Sequence, residues 1–206
     1  MLWQLKRARR GGHIRLRAVL AGGLVLGVAA AVTVAAWTDT EFGKATLTTS
    51  TFATQSSANG TTFASNPASP GATLAFAATA MLPTVSSYAL LDVRTTAATN
   101  VAGTVRLTSA TAAGSLGPAL EYRAIRTTTA TTCNAAAFTG SPTFVAGAAT
   151  TYLAVTTVPA SPVSSPIALA GGAIRFCFDV RVRAGAANTL QGTTATVTWQ
   201  FTATSN

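Results

Sequence analysis

Two stretches in the C-terminal part of the chain alternate so strictly that an extended backbone is the regular conformation that sorts them. From Ala173 to Ala184, Ile174, Phe176, Phe178, Val180 and Val182 share one parity, and Arg175, Cys177, Asp179, Arg181 and Arg183 share the other. A strand sends successive side chains to opposite faces, so five apolar groups would line one side. A helix would scatter the same groups around its circumference. The last segment repeats the pattern, with Val197, Trp199, Phe201 and Ala203 alternating with Thr196, Thr198, Gln200 and Thr202.

Weaker alternation marks Ala45–Ala53, Ala72–Thr79, Val85–Thr95, Val101–Ser109, Ala119–Thr127 and Thr150–Val158 as further strand candidates. Gly and Pro punctuate the intervals, as in Asn66-Pro67-Ala68-Ser69-Pro70-Gly71, Leu116-Gly117-Pro118, Gly140-Ser141-Pro142 and the run from Pro159 to Pro166. No window after residue 44 carries a helical stripe, and the abundant threonine favours strands. About eight strands with short turns predict an all-β fold, an antiparallel β-sandwich of jelly-roll or immunoglobulin-like type. Roughly 170 residues can bury a sizeable core, although one rich in Ala and Thr is thin for its length.

The N-terminus reads differently. Residues 1–17 are basic, and the nineteen residues from Ala18 to Ala36 carry no charge. As a helix they would reach about 28 Å, close to the hydrocarbon thickness of a bilayer. The run ends in small residues, with Thr33, Ala35 and Ala36 acceptable to a signal peptidase. The sequence therefore predicts a signal peptide over 1–35, with a basic part at 1–17 and an apolar part at 18–36, and an exported domain over 36–206. The alternative is an uncleaved leader that serves as the membrane anchor, its basic flank in the cytoplasm. Export calls for the Sec translocon and a signal peptidase as partners.

The leader also explains the charge. The chain carries a net +9, and Lys6, Arg7, Arg9, Arg10, Arg15 and Arg17 supply six of its fourteen basic residues. Beyond the apolar run, eight basic residues face five acidic ones, a net of +3. No nucleic-acid surface is expected from so small an excess. Cys133 and Cys177 are the only cysteines, and an even count in an exported chain predicts a disulfide between them. Such a bridge would pin the Thr-rich connection 127–134 over the strand that carries Cys177; two free buried thiols are the alternative.

The junction after the leader carries a resemblance. Trp37-Thr38-Asp39-Thr40-Glu41-Phe42 follows the apolar run, and Ala45-Thr46-Leu47-Thr48-Thr49-Ser50-Thr51-Phe52 comes soon after. This resembles the alternate-type signal proteins exported with a dedicated SipW-like signal peptidase, the family of the biofilm fibre protein TasA and the protease camelysin. Trp37 and Asp39 match the family's aromatic-x-Asp element. Ala45, Thr46, Leu47, Thr51 and Phe52 approximate its following strand, with Ser50 where the family has Gly. The resemblance implies cleavage near Ala35, tilts the sandwich towards a jelly-roll, and suggests that the freed N-terminal strand completes the sheet of a neighbouring copy.

Candidate chemistry is sparse. The sole histidine, His13, lies in the leader, so the exported part holds no Ser-His-Asp triad, no Cys-His pair and no His-Glu-x-x-His zinc site. That counts against a camelysin-like metallopeptidase, the third reading. The acids Asp39, Glu41, Asp92, Glu121 and Asp179 read as solvated strand residues opposite Arg94, Arg123 or Arg181, rather than as a hydrolase pair. No catalytic residue, metal ligand or cofactor is expected. Trp199 reads as core, and Asn59-Gly60-Thr61 as a tight turn or a glycosylation sequon. The expectation is a non-enzymatic, secreted cell-surface or biofilm-matrix structural protein, a fibre subunit able to form a homo-polymer. The alternative is a monomeric exported module that binds cell-wall glycan or protein.

Overall fold

The computed structural model describes residues 17, 19, 20, 41, 43–76 and 81–206. Thr33, Ala35, Ala36, Trp37 and Asp39, and with them most of the leader, lie outside the described residues. The chain divides into two units, 1–47 and 48–206. In the first, Arg17, Val19 and Leu20 are helical and exposed, and residues 43–47 are exposed without regular structure. Among the described residues no helix is long and apolar enough to cross a membrane.

The second unit is an all-β sandwich with nine strands among the described residues. They are β1 (Thr54–Ser57), β2 (Ser87–Thr95), β3 (Gly103–Ala113), β4 (Leu120–Thr127), β5 (Thr143–Ala146), β6 (Leu153–Ala154), β7 (Ser165–Ile167), β8 (Ala173–Val182) and β9 (Thr196–Ser205). One sheet runs β1-β2-β8-β4-β5, with β6 also paired to β4; the other runs β7-β3-β9. Every pairing between these strands is antiparallel.

The alternation in β8 places Phe176, Phe178, Val180 and Val182 in the core between the sheets. Leu91 and Val93 of β2, Leu120, Tyr122 and Ala124 of β4, and Val105 and Leu107 of β3 join them. Full burial of an aliphatic or aromatic side chain stabilises by about 1.5–3 kcal/mol, so this layer carries the fold. The side chains of β9 cover it only partly. Val197, Trp199, Phe201 and Ala203 are half-buried.

The polar parity of β8 is a correction to the sequence reading. It faces a second cover rather than solvent, and Arg175, Cys177 and Asp179 are buried. The segment between β4 and β5 folds back over this face. It brings Phe138 and Cys133 against Ile125 and Cys177, with Tyr88 and Phe144 packed alongside. Asn134 caps the short 3₁₀ turn at Ala135–Phe138, its side chain accepting from the N–H groups of Ala136 and Ala137.

Three candidate segments also differ. Ala45–Ala53 forms no strand, because Ala45 and Leu47 share one parity and Phe52 has the other, so no single face can be buried. Thr150–Val158 is a strand only at Leu153–Ala154; the Val155 N–H still donates to Leu120 O before a turn closed by Thr157 N–H on Ala154 O. Of Ala72–Thr79, residues 77–79 lie outside the described residues; in the rest, Ala72, Leu74 and Phe76 do pack towards the core while Thr73 and Ala75 are exposed. Yet among the described residues no backbone hydrogen bond joins residues 67–76 to either sheet. That alternation reports burial without strand pairing.

Candidate interaction site: an open sheet edge beside an apolar groove

β9 hydrogen-bonds to β3 on one side, and among the described residues no strand pairs with its other side. It is ten residues long and rich in β-branched and aromatic side chains. An edge of this kind offers a row of unpaired N–H and C=O groups to any incoming strand. The register from Val105↔Ala203 to Leu107↔Phe201 breaks at a bulge, after which Ala110 faces Trp199. Thr108, the extra residue, donates to or accepts from Thr202 at 2.9 Å and donates to the Gln200 carbonyl at 3.3 Å. These bonds fasten the β3 side of β9.

Beside this edge a groove of about 770 Å³ opens between the sheets. Leu91, Val93, Phe178 and Val180 form apolar lining from one sheet, and Val197, Trp199 and Phe201 from the other. Residues 65–74, Phe76 and Met81 line it as well. Trp199 anchors the wall. Its ring lies 4.7 Å from Phe178, 5.5 Å from Tyr122 and 6.3 Å from Phe76, centroid to centroid. The indole N–H is buried and has no partner among the described residues. Tyr122 donates its hydroxyl to the Thr157 carbonyl at 2.8 Å, and burial raises its phenol well above the ordinary range.

The N-terminal arm separates into a fastened and a free part. The Thr51 N–H donates to Asn100 Oδ1 at 2.8 Å, and the Asn100 N–H returns to Thr51 O at 3.1 Å. Ala53 O accepts from the Thr99 hydroxyl and from the Thr96 N–H. Phe52 lies against Gly103, where an added Cβ would come within 2.6 Å of the ring. Thr51 and Phe52 are therefore held by their own domain. Ala45, Thr46 and Leu47 are exposed and in no element, and Leu47 is 92% exposed.

The carboxylates serve a different purpose. Asp92, Asp179 and Glu121 each sit directly across a ladder from an arginine, in the pairs Asp92↔Arg175, Arg123↔Asp179 and Glu121↔Arg181. Arg175 binds both oxygens of Asp92, at 2.7 and 2.8 Å, and reaches Thr131 O at 2.7 Å. Its hydrogen bonds to Asp92 raise the Arg175 pKa further above its ordinary value. Asp179 Oδ2 accepts from Arg123 Nε at 2.9 Å and from the Tyr152 hydroxyl at 2.8 Å. Arg123 also donates through Nη1 to the Ala149 carbonyl. Arg181 pairs with Glu121 at 2.7 Å and lies 3.5 Å above the Tyr152 ring. Among the described residues Arg94 takes no acid; it donates to Gln55 and covers Phe63.

Asp92 and Asp179 are fully buried, which corrects the reading of these acids as solvated. Burial without an arginine would be prohibitive, and the register supplies one for each. Cys133 and Cys177 form the expected disulfide, with Cα atoms 5.3 Å apart. Bonds of this kind persist in oxidising compartments. Ion pairs, disulfide and aromatic cover all clamp the 128–152 segment to the larger sheet. Among the described residues no three His, Cys, Asp or Glu side chains gather as a metal site. Two contributors were not recognisable in the sequence: Tyr152, which reaches Asp179 from a loop, and the segment of residues 65–74 and Phe76 as part of the groove wall. The chain matches no known family and no curated protein.

Proposed function

We propose that this chain is a secreted or cell-surface structural protein, a non-enzymatic biofilm-matrix fibre subunit in which the arm of one copy pairs with β9 of the next. The observation that carries the reading is the unpaired edge of β9 beside an apolar groove, in a chain whose residues 43–50 are exposed and in no element. Strand addition at such an edge gains affinity from main-chain hydrogen bonds and register from side chains entering pockets. Leu47 is the apolar group of the free arm, suited to the groove. Each copy has one arm and one β9 edge, so a contact between them is head-to-tail, and when its rotation does not close a ring it propagates as a filament.

The basic-apolar leader, the junction residues Trp37 and Asp39 and the disulfide support delivery through the Sec translocon and a SipW-like peptidase. The test is N-terminal sequencing and electron microscopy of secreted material. The expected result is a chain beginning near Ala36 that forms filaments, and loss of filaments on deleting residues 36–50. A mature protein that stays monomeric at high concentration, or a deletion that leaves assembly unchanged, contradicts the reading.

A second reading, a monomeric module for cell-wall glycan or protein, is favoured by the four aromatic rings (Phe76, Phe178, Trp199 and Phe201) that line the groove. It predicts that soluble wall fragments quench Trp199 fluorescence without any change in mass.

A further inference from the structure

We propose that Asn59-Gly60 is a self-modifying site, at which the folded turn promotes conversion of the Asn59 carboxamide to a carboxylate. The turn follows β1, and Asn59 is exposed to water. Its Oδ1 accepts four hydrogen bonds: from the Ser57 hydroxyl at 2.8 Å, the Thr61 N–H at 3.0 Å, the Thr61 hydroxyl at 3.1 Å and the Thr62 N–H at 2.8 Å. Four donors on one amide oxygen withdraw electron density from Cγ and stand ready for negative charge on that oxygen. This is the arrangement that stabilises tetrahedral intermediates in acyl transfer. The nucleophile is next in the chain. Gly60 has φ +77°, a conformation open to a residue without Cβ, and its N–H makes no hydrogen bond among the described residues.

The chemistry needs only water and hydroxide. Hydroxide removes the Gly60 amide proton, and the nitrogen attacks Asn59 Cγ to form the new C–N bond. The resulting oxyanion on Oδ1 is held by the four donors. It collapses with cleavage of Cγ–Nδ2, and the departing nitrogen takes a proton from water and leaves as ammonia. The five-membered imide is then opened by water at either carbonyl, giving aspartate or isoaspartate at position 59. The net change is one water consumed and one ammonia released, with no redox step.

Among the six asparagines this combination is found at Asn59. Asn66 precedes Pro67, which has no N–H to deprotonate, and Asn100 precedes β-branched Val101. Asn134 receives two donors, as a cap, and precedes Ala135. Asn188 precedes β-branched Thr189, and among the described residues no donor reaches the side-chain oxygen of Asn206, unlike the four on Asn59. The product also bears on the fold. Ser57 pairs with Asp92 across β1 and β2, and an ideal Cβ on Gly60 would stand 2.9 Å from Arg175 Nη2. An added carboxylate, or the extra backbone methylene of isoaspartate, falls beside the Asp92–Arg175 pair.

The test follows the mature protein at mildly alkaline pH by peptide mapping and enzymatic isoaspartate labelling. The same chain, reduced and held unfolded in urea, serves as the reference. The expected result is conversion at Asn59 several-fold faster in the folded protein than in the unfolded chain, rising in proportion to hydroxide. Thr61→Val, which removes an exposed hydroxyl, should slow the folded rate several-fold and leave the unfolded rate unchanged. Folded-state conversion equal to or slower than the unfolded chain overturns the proposal, as does a Thr61→Val rate equal to wild type in a variant with unchanged circular dichroism.

Discussion

Arg175 grips both carboxylate oxygens of Asp92 straight across the β2–β8 ladder, and with its remaining nitrogen it holds the carbonyl of Thr131 in the segment that carries Cys133. One buried guanidinium thus ties the larger sheet to its outer cover. Removing one member of a buried pair leaves the other uncompensated, at a cost of about 3–5 kcal/mol. Asp92→Ala should lose stability of that order in urea unfolding. The double variant Asp92→Leu with Arg175→Met should lose clearly less, because no charge is left stranded.

The disulfide and this ion pair fasten the same segment, so their effects should couple. A 44-residue separation gives roughly 4 kcal/mol in the chain-entropy model. Cys133→Ala with Cys177→Ala should therefore lower the unfolding midpoint markedly. Limited proteolysis should then cut first between residues 128 and 152, while β9 stays intact.

Gly103 is required by close approach. An ideal Cβ there meets the carbonyl of Thr204 and stands 2.6 Å from the Phe52 ring. Gly103→Ala should cost about 1–3 kcal/mol through overpacking. It should also release Phe52, so that mild protease trims the arm beyond Ser50 to the start of β1, as mass spectrometry would show.

Alkaline pH should weaken the fold through two tyrosines. Burial raises the phenols of Tyr122 and Tyr152, and the neighbouring Asp179 adds to the effect at Tyr152. A raised folded pKa means that the native state holds the proton more tightly than the unfolded chain does. The contribution is therefore intact below about pH 10, the unfolded value, and is lost as pH climbs above it. Urea midpoints measured from pH 8 to pH 11 should fall only in the upper part of that range. Tyr152→Phe should make the fall shallower, from a lower starting stability because the hydrogen bond to Asp179 is gone.

The inner face of this sandwich was legible in the sequence because Ile174 to Val182 and Val197 to Ala203 alternate with few exceptions. Their partners Leu91, Tyr122 and Val105 follow weaker versions of the same rule. The outer face of the larger sheet was not, since Arg175, Cys177 and Asp179 have the composition of a solvated surface. What buries them is a loop of Ala and Thr with isolated aromatics at Phe138, Phe144 and Tyr152, and no periodicity announces such a cover. The acid–arginine pairs depend on register between distant strands, which local sequence does not encode. The groove was hidden for the same reason. Its existence depends on which strands end up at the edges, and β9 carries the pattern of an interior strand while occupying an outer position.

In the proposed assembly the unpaired side of β9 receives residues 43–50 of another copy. Hydrogen–deuterium exchange of the mature protein, read over β9 at low and high concentration, addresses it directly. The β9 amides should become protected as filaments form, and Leu47→Asp should abolish both protection and filaments while leaving the monomer folded. Filaments whose β9 amides exchange as fast as those of the monomer would contradict this assembly.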